Sequence, residues 1–438
     1  MMKTRLLLWN LAVLSIGAPL QTPGAAPSPA GDFKDPLGGE VLSIDSVVQE
    51  VLHHNRSLKA AEANWAAMKQ RIPQARAWED TRAGVDVERA GTTRFDTFTD
   101  NEWMISQEIP ISGKNRLRGR AAEAEAAGAF LEVHRREVDL VARARAAYFR
   151  LANAFAQLDL NTKNLDLWKQ FIASARNKYE LGVQSQSDVL VAETEAGRLE
   201  ESRFDFERQI SEAQSEMNVL MNRPPKSPLG RPSPLTASES PGALGDLQQF
   251  ALAHRPDLKI LQKKIDAAKT RVTLAKRQWI PDPEIRVEAR QFNGSPKAIQ
   301  EYDTGIFFNV PWANPGKYRA AILEANNMLE SSEHDLEAMQ AETLGMIRNQ
   351  HQKLHTLYHH YELFHTKLVP LAWQTVESKR LSYESDKATL LDLLTAQRTA
   401  RETESAMQQH LSDYLIARAE LEGMMGGKFG AAADRIDR

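Results

Sequence analysis

The chain has 438 residues, a formal net charge of −3 and no cysteine. Near-neutral charge gives no reason to expect nucleic acid, and the lack of cysteine removes disulfides, thiolate metal sites and a lipid anchor on an N-terminal cysteine. Only 7% of residues are aromatic, while Ala, Glu, Gln, Arg and Leu abound, a composition suited to long helices.

Residues 1–30 have a signal-peptide layout: Lys3 and Arg5, the apolar run Leu6 to Ile16, then small residues, with cleavage expected after Ala30. Beyond it no run of 18 apolar residues occurs, so no transmembrane helix is expected. An exported chain of this size without disulfides suggests a bacterial periplasm or outer envelope.

The mature chain reads as one unit written twice. Leu58-Lys59 answers Leu258-Lys259, Val87-Glu88 answers Val287-Glu288, Ile109-Pro110 answers Val310-Pro311, and Gly113-Lys114 answers Gly316-Lys317. Further on, Tyr179 and Asp188 match Tyr383 and Asp392, and Ala213 and Met221 match Ala417 and Met425, with the offset drifting from about 200 to about 204. The first repeat is assigned to residues 41–223, a Pro-rich linker to 224–242, the second repeat to 243–426 and a flexible tail to 427–438.

In the first repeat, Ser43 or Asp45 caps a helix that runs to about Trp78, interrupted by Pro73. Period-two alternation then predicts strands at about 82–90 and 101–110. The stretch 113–221 holds no proline and shows helical spacing, giving a long helix at about 113–181, roughly 100 Å at 1.5 Å per residue, and a return helix at about 187–222. The linker carries six prolines and is expected to have no core of its own. The second repeat gives strands at about 283–291 and 302–310, a long helix at about 315–385 started by Asn314-Pro315 and kinked at Pro370, and a return helix at about 390–425.

Strands of 9 to 11 residues with one apolar face are long enough to cross a bilayer in a barrel. Four cannot close, and an open edge in lipid leaves backbone groups unsatisfied, so strands of other copies must complete the sheet. Three copies would supply about twelve strands and a water-filled lumen. Asp86, Glu88, Arg286, Glu288 and Arg290 would then face the lumen, with Trp103, Tyr302 and Phe308 on the membrane side or its rim.

The doubled order of strands and helices, the Ile109-Pro110 and Val310-Pro311 strand exits, the Gly-Lys pairs, and the segment Tyr179-x-x-Gly182 leading to Asp188 together resemble the TolC family of outer-membrane efflux channels. The resemblance implies a mainly α fold with a membrane β-barrel segment: a duplicated unit of long antiparallel helices plus four strands per chain, trimerising into a 12-stranded barrel and an α-helical tunnel. It implies a homotrimer in the outer membrane of a double-membrane bacterium, in contact with outer-membrane lipid. The partners it implies are a periplasmic adaptor (membrane fusion protein) and an inner-membrane pump of the RND type. The function it implies is the passive exit duct of a tripartite efflux system, for small molecules or metal cations. Neither a nucleic-acid partner nor a cofactor is expected.

By that resemblance Asp392 contributes to a carboxylate ring at the periplasmic constriction, where Thr395 takes the place of a second acidic residue. Leu181, Gly182 and Val183 would meet the adaptor, with Asp188 and Asp386 beside them at the tips. Thr389-x-x-Asp392 and Ser185-x-x-Asp188 also read as capping boxes, and Gly182 as a turn glycine. His351, His355 and His359 lie at i, i+4 and i+8, a spacing that could hold Zn, Cu or Co. A solvated polar face is the preferred reading there, since no acidic ligand sits at matching spacing. Pro311-Trp312-Ala313-Asn314 is similar to the heavy-metal, CzcC/CusC-like branch of the family.

The alternative is a periplasmic coiled-coil adaptor or structural scaffold, which accounts for the helices but not for paired bilayer-length strands. An enzyme is not expected: there is no nucleophile–base set and no HExxH helix.

Overall fold

In a computed structural model of the chain, the structure describes residues 41–88, 99–182, 185–237, 242–294, 296–385 and 387–427. The signal-peptide assignment and the tail beyond 427 lie outside the described residues. Within them, the first repeat runs β1 (Val41–Leu42), α1 (Ile44–His54), α2 (Arg56–Arg76), β2 (Arg82–Glu88), β3 (Asp100–Glu108), α3 (Lys114–Glu180) and α4 (Gln186–Leu220). After β4 (Arg231–Pro232) come α5 (Leu244–His254), α6 (Pro256–Arg277), β5 (Glu284–Phe292), β6 (Glu301–Phe307), α7 (Pro315–Leu363), α8 (Val369–Glu384) and α9 (Leu390–Met425). No described helix is long and apolar enough to cross a membrane.

The first helix breaks at Asn55, not at Pro73. Asn55 Oδ1 accepts from the amides of Ser57 and Leu58 at 2.9 and 3.3 Å, and its Nδ2 donates to the Leu220 carbonyl at 2.8 Å. One side chain thus caps α2 and ties it to the end of α4. Pro73 sits in the last turns of α2, which continues to Arg76. Asn314, expected to cap α7, makes no side-chain cap bond; Pro315 at the first helical position starts that helix.

The two halves bury matching stripes. Val47, Val51, Leu58, Ala144, Leu151, Met217 and Met221 form one core cluster, and Leu247, Ala251, Ile347, Leu354, Leu421 and Met425 form its counterpart. These positions mark the repeat offset along the helices. It is 200 at Val51 and Ala251, 203 at Leu151 and Leu354, and 204 at Met221 and Met425. The last step has a visible cause: one π-helical turn, Phe364–Leu368, separates α7 from α8. Pro370 lacks an N–H and its ring crowds the carbonyl four residues back, so a wide turn takes up an extra residue where a kink was expected.

The four long strands form one antiparallel sheet in the order β2-β3-β5-β6. Ser106 lies opposite Arg82, and Phe307 lies opposite Glu284. Matching Ser106 to Phe307, as the strand exits Ile109-Pro110 and Val310-Pro311 require, pairs Arg82 with Glu284, an offset of 202. The match of Val87-Glu88 to Val287-Glu288 is therefore corrected to Val85-Asp86. Strand β6 ends at Phe307, short of the 310 expected; Pro311–Ala313 form a 3-10 turn.

The segment expected to be a coreless linker is a packed strap. β4 pairs in parallel with β1, and Tyr148 Oη donates to the Leu42 carbonyl while accepting from the Ser233 amide, both at 3.0 Å. Asn218 Nδ2 donates to the carbonyls of Pro225 and Ser227, and Arg231 pairs with Asp159.

Candidate functional site: the sheet and the helical tips

Cross-strand register sorts the sheet side chains completely. On one face lie Ala83, Val85, Val87, Asn101, Trp103, Ile105, Gln107, Ile285, Val287, Ala289, Gln291, Tyr302, Thr304 and Ile306, none of them charged. Ile105 is 57% exposed and Ile306 67%, far beyond what an apolar side chain meets in a water-soluble core. The other face carries nine acids (Asp86, Glu88, Asp100, Glu102, Glu108, Glu284, Glu288, Glu301, Asp303) against three arginines (Arg82, Arg286, Arg290). Arg290 pairs with Glu102 at 3.1 Å; Arg286 lies between Glu284 and Glu288 at 3.7 and 3.6 Å and over the Phe307 ring at 4.2 Å. A Cβ at Gly305 would come within 2.7 Å of that ring, so only glycine lets Phe307 lie across its own strand. Asp86, Glu88, Arg286, Glu288 and Arg290 thus share one charged face.

Below the sheet, Asp282 joins the halves. It accepts from the Ser112 amide and hydroxyl, both at 2.7 Å, and from Lys114 Nζ at 3.0 Å; its side chain is 3% exposed and that of Lys114 11%. Arg277 closes the loop by donating to the Ser112 carbonyl at 2.9 Å. Burial pushes the Asp282 carboxyl up, but the Ser112 bonds and Lys114 together more than reverse this and hold it below the usual carboxylate range. Sequence reasoning noticed Gly113-Lys114 without finding its acidic partner 168 residues away.

At the far end, α3–α4 and α8–α9 form two helical tips. Leu165, Trp168, Leu199, Leu390 and Leu394 pack together, and the rings of Phe171 and Tyr383 meet at 6.0 Å, joining the two tips. Gly182 turns with φ of +73° at the first tip, beside Leu181, which is 78% exposed. Val183 and Asp386 lie outside the described residues. Ser185 Oγ accepts from the Asp188 amide at 3.4 Å.

Asp392 is the reciprocal member of a capping box: its amide donates to Thr389 Oγ1 at 3.2 Å, and its Oδ2 accepts from the Thr389 amide at 3.2 Å. The Thr389 amide and then its hydroxyl, which donates to the same Oδ2 at 3.0 Å, and after them the Lys379 ammonium 3.9 Å away, hold the Asp392 carboxyl below the usual range. The same side chain remains exposed, on the face of α9 that carries Leu391 and Thr395, opposite buried Leu393 and Leu394. The Thr395 hydroxyl donates to the Leu391 carbonyl at 2.8 Å.

The histidine stripe does not gather into a ligand set. His351 Nε2 lies 3.1 Å from the Gly242 carbonyl, His355 and His359 are exposed, and no group of three or more metal-ligating side chains occurs among the described residues. Sequence reasoning also missed a polar seam along α3. Asn153 donates to Gln409, Gln157 to the Ser405 carbonyl and Asn161 to the Leu199 carbonyl, at 2.8–2.9 Å, stitching α3 to α9 and α4. The spacing of Asn153, Gln157 and Asn161 by four was the available signal.

A family description, "Outer membrane efflux protein", matches residues 47–223 and again 247–427, one match for each repeat. The toluene efflux pump outer membrane protein TtgF of Pseudomonas putida is 24% identical over 67% of this chain, and the match spans 62% of TtgF's own length. The nickel and cobalt resistance protein CnrC of Cupriavidus metallidurans is 21% identical over 62% of this chain and 64% of CnrC. The structure of the outer membrane protein VceC from Vibrio cholerae superposes with a TM-score of 0.74 at 18% identity, over 88% of this chain and 96% of VceC.

Proposed function

Because the chain belongs to the outer membrane efflux protein family, we propose that it is the passive exit duct of a tripartite efflux system, working as a homotrimer in the outer membrane. The carrying observation is the segregation of every charge in the described strands onto one face, in a sheet whose outer strands β2 and β6 have no partner on their far sides among the described residues. In hydrocarbon such edges must be paired, and three four-stranded sheets close as twelve strands. The uncharged face then meets lipid and the acidic face lines the lumen. The α3–α4 and α8–α9 hairpins continue as a periplasmic tunnel, and its tips, including Leu181, Gly182, Val183, Asp188 and Asp386, meet a periplasmic adaptor coupled to an inner-membrane pump of the RND type. The adaptor-or-scaffold alternative has no support from the family match or from the paired sheet.

A wall with nine acids and three arginines among the described strand residues of each copy favours cations over anions. Given a relative named for nickel and cobalt resistance, divalent cations are the cargo class to test first. Purified protein in planar bilayers is expected to form cation-selective channels; a protein that leaves the bilayer silent and runs as a monomer in mild detergent overturns the duct.

For the gate we assign Asp392, with Thr395 one turn along on the same face. Asp392→Ala is expected to raise single-channel conductance or weaken block by divalent cations. Thr389→Val, which removes the cap partner and leaves the carboxylate, is expected to keep both near wild type. If the two variants behave alike, Asp392 is a helix cap alone.

A further inference from the structure

The buried Lys114–Asp282 pair lies where the end of one strand pair meets the start of the next, so the repeat must present the same two groups a second time. The equivalent positions follow from geometry. The hairpin registers set Arg82 against Glu284, so the position equivalent to Asp282 is Asp80, another aspartate. Burial of Leu151 and Leu354 sets the offset of the long helices at 203, so Lys114 corresponds to Lys317, another lysine. Within the chain these two groups cannot meet: Asp80 precedes strand β2 at one edge of the sheet, and Lys317 follows β6 at the other. Three strand spacings separate those edges, roughly 14 Å. Both side chains are exposed, and the Lys317 ammonium lies 5.7 Å from the ring centroid of its neighbour Tyr318.

We infer that Lys317 of one copy and Asp80 of the next form the intersubunit counterpart of the Lys114–Asp282 latch, joining copies head to tail. This rests on the threefold reading above and sharpens it to a register. β3 pairs β5 with Ile105 opposite Val287. Carried through the repeat, β6 of one copy pairs β2 of the next with Ile306 opposite Val85 and Phe307 opposite Gly84. Both pairs keep uncharged with uncharged and charged face with charged face, as a one-residue slip would not. The Ile109 amide donates to the Pro283 carbonyl at 2.8 Å just past the paired strands; its repeat is Val310 to Thr81 of the next copy. That bond extends pairing over residues 308–310, which have no strand partner among the described residues. Charge complementarity and the filled internal copy of the site both name a second copy of this chain as the occupant.

The chain has no cysteine, so crosslinks form only where residues are introduced. Val85→Cys with Ile306→Cys is expected to give, on oxidation in mild detergent, a ladder ending at covalent trimer; positions this far apart in one chain lie beyond disulfide reach. For the latch, Asp80→Lys and Lys317→Asp are each expected to lower the temperature at which detergent-solubilised trimers fall to monomers, and the double exchange to restore it. Crosslinked trimers with no loss in the single variants, or no recovery in the double, overturn the latch and leave the trimer standing. Absence of the crosslink together with a monomeric mass overturns the threefold assembly itself, and the latch with it.

Discussion

Replacing Asp282 by alanine is expected to cost about 3–5 kcal/mol of stability, because it strands the Lys114 ammonium in a buried site with no counter-charge. The loss exceeds that of an ordinary surface ion pair, worth about 0–1 kcal/mol, since neither side chain keeps enough water to replace its partner. Asp282→Asn separates charge from shape. The amide fills the same space and still accepts from Ser112, yet leaves Lys114 unbalanced, so its loss should approach that of alanine. Urea unfolding in mild detergent measures both, and a change under about 1 kcal/mol for either variant counts against the latch as a stabilising element. The pH dependence has a definite sign. The folded carboxyl is held below its unfolded value, so its contribution is complete above about pH 4 and disappears as pH falls through the folded value. The alanine variant is expected to lack this part of the acid limb.

The second large effect lies in the sheet. Val287→Arg or Ile105→Arg puts a guanidinium on the uncharged face and is expected to cost about 2–4 kcal/mol if that face sits near the bilayer midplane. Met104→Arg provides the control, because Met104 is adjacent in depth but on the charged face, opposite Glu288. Refolding into lipid vesicles from urea is the assay. Equal losses at Met104 and Ile105 would mean that the two faces do not see different solvents.

The sheet was legible from sequence because alternation is a local signal: Val85 and Val87, or Ile285 and Val287, announce their face whatever they pair with. For the same reason the repeat register was misjudged by two residues. A slip of two leaves every side chain on its original face, so Val87-Glu88 resembles Val287-Glu288 as well as Val85-Asp86 does, and only the hydrogen-bonded partners decide. The return helices were legible from Thr389-x-x-Asp392, a short-range cap. The break at Asn55 was not, since it depends on the Leu220 carbonyl 165 residues away. The strap likewise depends on Tyr148, buried in the long helix, and prolines alone suggested a loose tether. Among the site residues, period-two alternation sets charged and uncharged strand positions on opposite faces, as the cross-strand register does, but it could not see that His351 faces a backbone carbonyl rather than its fellow histidines.

The π turn at Phe364–Leu368 has a consequence for the whole second half. One residue added to a regular α-helix rotates everything beyond it by about 100° about the axis. A helix this long must keep one stripe inward over its full length, so an uncorrected addition would swing Val376 and Tyr383 toward water. The wide turn absorbs the addition where it occurs, and Val376 stays buried while Tyr383 still meets Phe171. It acts as a phase corrector: two helices of unequal residue count arrive at the same end with their inward faces in step.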